Sequence, residues 1–120
     1  MEPKSRPAIF LNKADSTEEN FQNATIRPIL KLQHNLIMTL SRQIFDKKKM
    51  KWEKLREQDA FEWLPIHIQK DIPFKNQLIG MVIGQFNLEE LSQYLLFPKE
   101  MNKRIIHMVI ERMMNHYVNH

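Results

Sequence analysis

Between Thr25 and Phe45 (TIRPILKLQHNLIMTLSRQIF) the apolar residues recur at helical spacing, and this periodicity restricts the fold more than any other feature of the chain. At about 100° per residue, Ile26, Ile29, Leu30, Leu36, Ile37, Leu40 and Ile44 fall in one stripe, with Lys31, Asn35 and Arg42 opposite. Such a helix buries one face, so this segment is expected to be the central helix on which the others dock.

Two glycines in 120 residues are too few for the tight turns of a sheet. With a charged fraction of 27%, the pattern predicts an all-α compact bundle of about five or six helices. Residues 1–15 carry two prolines and no period, and are read as a flexible N-terminal arm before a single helical domain over 16–120. There is no cysteine, which rules out disulfides and cysteine-ligated metals and suits a reducing compartment, so a cytoplasmic location is expected. The apolar run Ala8–Leu11 is too short for a signal-peptide core, and Leu78–Ile83 is far shorter than the roughly 20 residues of a membrane span. No membrane association is expected.

Ser16 or Asp15 can cap a first turn. Pro28 then favours a short helix ending near Thr25 before the long one starts. Asp46–Lys51 reads as a polar break, and Trp52–Gln58 as a short exposed helix or loop. Asp59 with Glu62 has capping-box spacing for a helix to about Lys70, kinked at Pro65. Asp71 is placed to cap Pro73–Gln85, and Asn87 with Glu90 to cap Leu88–Leu96. A last helix runs from Pro98 to about Tyr117. The apolar residues of Pro73–Gln85 cover roughly 200° of a wheel, which predicts a surrounded helix.

The strings KDIPFKNQLIGMVIGQFNLEE (Lys70–Glu90), RPILKLQ (Arg27–Gln33) and NKRIIHMVIER (Asn102–Arg112) resemble a family of short bacterial proteins of no established role. Pro65 and Pro73 depart from the family's pattern. Some relatives carry a glyoxalase label, which implies βαβββ units holding histidine and glutamate metal ligands on strands. No alternating strand pattern is present here to hold them.

The chain has no glycine-rich phosphate loop, nucleophile elbow, paired catalytic carboxylates or metalloprotease signature, so no catalytic residue, metal or cofactor is assigned. His116 and His120 share a helix face at metal-ligand spacing, but they have no third ligand nearby and read as a solvated tail. His107 and Glu111 read as an exposed ion pair, while His34 and His67 stand alone. Gln33 falls within the apolar stripe as a buried polar group, and its amide is expected to bond a backbone carbonyl or a residue such as Asn76, with ligand contact as the alternative.

Two binding surfaces are candidates. The basic segment Lys47, Lys48, Lys49, Lys51, Trp52, Lys54 and Arg56 offers lysines for phosphates and an aromatic for stacking on a base. The formal charge of +4 permits such contacts without requiring them. Gly80 and Gly84 permit close helix approach, within the core or between subunits, and Met101 and Met108, off the main stripe of the last helix and close to Arg112, are expected to pad an irregular core, with a protein interface as the alternative. The expected function is a non-catalytic interaction or regulatory protein that self-associates or binds a protein partner. The alternative is a small RNA- or DNA-associated protein, which could be ribosome-bound, using Lys47–Arg56.

Overall fold

A computed structural model describes residues 17–48 and 57–118, and all the regular structure in them is helical. Helix α1 covers residues 17–32 and α2 is His34–Lys47. They are followed by α3 (Glu57–Lys70), α4 (Ile72–Ile83), α5 (Leu88–Leu96) and α6 (Pro98–Val118). The all-α bundle is therefore as expected. The N-terminal arm to residue 15 and most of the segment between α2 and α3 lie outside the described residues.

The central helix is α6, not the Thr25–Phe45 segment. Met101, Ile105, Ile106, Met108, Val109, Ile110 and Met113 are all buried, an arc of roughly 200° at helical spacing. Lys99, Lys103, His107, Glu111 and Asn115, four residues apart, form an exposed ridge along it. Around this arc pack α3, α4, α5 and the middle of α1. By contrast α4, predicted to be surrounded, buries Phe74, Leu78, Ile79 and Val82 while Gly80 and Gly84 face outward.

Pro28 does not break the first helix. Gln22–Ile26 instead forms a π-turn, in which the Arg27 N–H reaches back to the Gln22 carbonyl. A proline ring clashes with the carbonyl four residues before it and offers no donor, and a widened turn just upstream accommodates both defects. The break comes at Gln33, whose φ of −96° and ψ of 11° leave the helical region. Beyond it the buried positions are Ile37, Met38, Ser41 and Phe45, while Leu36 is 62% exposed. The apolar stripe thus steps around by roughly 80° relative to a straight helix.

The caps follow the sequence in two places. Asp71 accepts from the Phe74 N–H at 3.1 Å, and Pro73 sits in the first turn, where its missing donor has no partner to lose. Asn87 and Glu90 form a reciprocal capping box at 2.8 and 2.9 Å. Asp59, by contrast, lies inside α3, which is already helical from Glu57.

Phe45 is where α2, α3, α4 and α6 meet. Its ring stands edge-on to Trp63 at 5.2 Å, Phe74 at 5.9 Å and Tyr117 at 6.5 Å between centroids. These edge-to-face arrangements suit the ring quadrupoles and add to the area buried. Toward the start of α6, Phe86 similarly links Phe21 of α1 at 5.5 Å to Tyr94 of α5 at 5.8 Å.

Gln33 is 6% exposed, and its Oε1 has no hydrogen-bond partner among the described residues. Asn76, expected to supply one, is exposed on α4. An unsatisfied buried acceptor costs about 1–3 kcal/mol. Gln33→Met keeps the length of the side chain and removes that acceptor, so it should stabilise the fold by about 1–2 kcal/mol. A urea titration should show a higher midpoint with an unchanged slope, and a lower midpoint would mean that the amide is held by a favourable contact.

Candidate functional site

The break at Gln33 sets His34 at the first position of α2, beside the last turns of α6. There Arg27 and Leu30 of α1, His34, and Met108, Glu111, Arg112, Asn115 and His116 of α6 line a cavity of about 350 Å³. The α6 contribution follows from helical spacing, because Met108, Arg112 and His116 recur every fourth residue, as do Glu111 and Asn115.

The polar groups are held in place. Arg112 Nη1 donates to His34 Nδ1 at 3.2 Å. A guanidinium only donates, so Nδ1 must be the unprotonated nitrogen and the His34 proton sits on Nε2. The His34 and His116 rings meet edge-to-face at 5.2 Å between centroids. Arg27 Nε donates to Asn23 Oδ1 at 3.1 Å. No ion pair is made by Arg27 or Arg112 among the described residues. The lining combines two guanidiniums, the Glu111 carboxylate and two imidazoles with the apolar side chains of Leu30 and Met108.

Arg112 and Met108, candidates for a protein interface, are thus drawn into this cavity, with Met108 5% exposed. Met101 is 1% exposed and part of the core. Both methionines are covered because neighbouring helices enclose α6 on more than one side. His116 meets His34, and His120 lies outside the described residues. His107 and Glu111 stand on the exposed ridge of α6, and no ion pair joins them. His67 is structural: its ring stacks on Trp63 at 4.0 Å, and its Nδ1 is 3.0 Å from the Trp63 carbonyl, which can only accept.

A Cβ on Gly80 would meet nothing within 4 Å, and one on Gly84 would meet only carbonyls of its own helix. Among the described residues, neither glycine is therefore closely approached by another helix. In the basic segment, Lys47 is exposed and Lys48 Nζ lies 3.2 Å from Asp71 Oδ2 at the cap of α4. Lys49, Lys51, Trp52, Lys54 and Arg56 lie outside the described residues.

A second polar cluster lies nearby, between residues too far apart in sequence for any local pattern to join them. Tyr117 donates to the Met38 carbonyl at 2.9 Å, and the Ser41 hydroxyl lies 2.5 Å from the Tyr117 oxygen and 3.0 Å from the same carbonyl. Two hydroxyl protons serve three close contacts, tying the last turns of α6 to α2. Burial raises the Tyr117 phenol above its ordinary value of 10.0, partly offset by the Ser41 hydrogen bond.

Among the described residues no three histidine, aspartate or glutamate side chains are grouped to hold a metal, and no helix is long and apolar enough to cross a membrane. No family model matches the chain, and no curated protein or solved structure matches it.

A phenol raised in the folded state binds its proton more tightly there than in the unfolded chain. Its contribution to stability is complete below pH 10 and fades as pH rises through the folded value. Tyr117→Phe should therefore lose less stability than the wild type between neutral pH and pH above 10, as measured by urea midpoints at each pH. Parallel losses in the two proteins would show that Tyr117 does not carry the alkaline transition.

Proposed function

We propose that the protein is a non-catalytic interaction protein that self-associates through the outer face of α5. The observation that carries this reading is the exposure of Leu88, Leu95 and Leu96, at 83, 59 and 67%. Leu88, Ser92 and Leu95 follow i, i+4, i+7 spacing, opposite the Tyr94 side that packs on the core, with Leu96 flanking them. A second copy fits this stripe better than an unrelated partner because the stripe is uncharged and complementary to itself. Antiparallel pairing about a two-fold axis would also bring exposed Glu89, at the start of α5, toward exposed Lys99, just past the end of α5 in the second copy.

Three leucines from each copy, at about 1.5–3 kcal/mol for each side chain fully buried, give a gross gain of about 9–18 kcal/mol, which exceeds an association cost in the lower part of the roughly 4–15 kcal/mol range by about 5–8 kcal/mol. The dimer is accordingly a weak one, populated at micromolar concentrations and above. Sedimentation velocity over a concentration series should show reversible dimerisation. The double variant Leu88→Ser, Leu95→Glu should remain a monomer with an unchanged helical spectrum, since both side chains are exposed in the single chain. A wild type that stays monomeric at about 500 μM, or a double variant that associates like the wild type, would overturn the reading.

A further inference from the structure

The cavity between α1, α2 and α6 has a different character from the outer face of α5. We propose that it binds a small monocarboxylate carrying a compact apolar body. Two guanidiniums, Arg27 and Arg112, border it, and neither makes an ion pair among the described residues. Each has five N–H donors, of which the hydrogen bonds to Asn23 and His34 use one apiece. The bond to His34 also restricts the Arg112 fork before any ligand arrives, which reduces the ordering cost of binding. A planar fork of this kind matches a carboxylate through two parallel hydrogen bonds.

The choice of a monoanion follows from Glu111, which lines the same cavity. Its carboxylate cancels one of the two guanidinium charges, leaving a single positive charge for the ligand to neutralise. A second negative charge, as on phosphate, would meet Glu111 without compensation. The apolar body follows from Leu30 and Met108, both buried side chains that also line the cavity. Free phosphate would leave them uncovered, whereas a phenyl ring or short alkyl chain would lie against them. A volume of about 350 Å³ is at the lower end for ligand sites and suits a molecule of that size.

The test uses the full chain with benzoate and hexanoate as probes, benzamide as the uncharged match for benzoate, and inorganic phosphate as the competing anion. Calorimetry should detect saturable binding of at least one carboxylate with Kd below about 10 mM, and none of benzamide or phosphate in that range. The bound carboxylate should shift the imidazole NMR signals of His34 and His116, which adjoin the site, while leaving His67 unmoved. Arg27→Gln alters an exposed residue and should fold normally while weakening binding at least about tenfold. Arg112→Gln should do the same.

Several results would overturn the proposal: no binding of either carboxylate in that range, equal binding of benzamide or phosphate, or full affinity in Arg27→Gln. Carboxylate binding that leaves the His34 and His116 signals unmoved would also place the ligand elsewhere and overturn it. None of these outcomes depends on whether the chain dimerises, because both arginines lie away from α5.

Discussion

A helix that is apolar over more than half of its circumference has to be enclosed, and the enclosure of α6 is the constraint on which the rest of this structure depends. Seven of its residues from Met101 to Met113 are buried. One neighbouring helix can cover only part of so broad an arc, so several must be brought to it. The chain does this with short connections. Asp71 alone separates α3 from α4, and Phe97 alone separates α5 from α6. Aromatic contacts then hold the neighbours in register, through Phe45 toward the end of α6 and Phe86 toward its start.

Local patterns announced the fold class and most helix boundaries because the relevant physics is local. Asp71, Asn87 and Glu90 cap their own helices within one turn, so their spacing is enough to identify them. The rank of the helices was not visible in the same way. Thr25–Phe45 has a regular stripe only if the helix is straight, and the bend at Gln33 places Leu36 outside and Met38 and Ser41 inside. Nor could a wheel tell α4 from α6 as the surrounded helix. Both show broad apolar arcs, and the difference lies in how many neighbours reach each one, which is a property of the whole packing.

The cavity was hidden for a related reason. His34 looked isolated because its partners, Arg112 and His116, are roughly eighty residues away in sequence, and only tertiary packing brings them together. Ser41 and Tyr117 are a similar pair. The methionines of α6 illustrate the converse. Their distance from the main stripe left core padding and a protein interface both open, and the burial of Met101 and Met108 matches the first, since flexible thioethers are well suited to filling irregular space. Around this core the molecule presents two unlike surfaces: an uncharged leucine stripe on α5 and a cationic cavity beside α1.

Enclosed on more than one side, α6 should be the last element to open, and native-state hydrogen exchange tests this most directly. Amides from Ile105 to Met113 should exchange only through global unfolding, with an opening free energy equal to that from urea denaturation. Amides of α5, which covers α6 on one side and exposes leucines on the other, should open at lower free energy. If α2 proves more protected than α6, or if α6 exchanges while the rest of the bundle remains folded, then α6 is not the helix around which this protein is built.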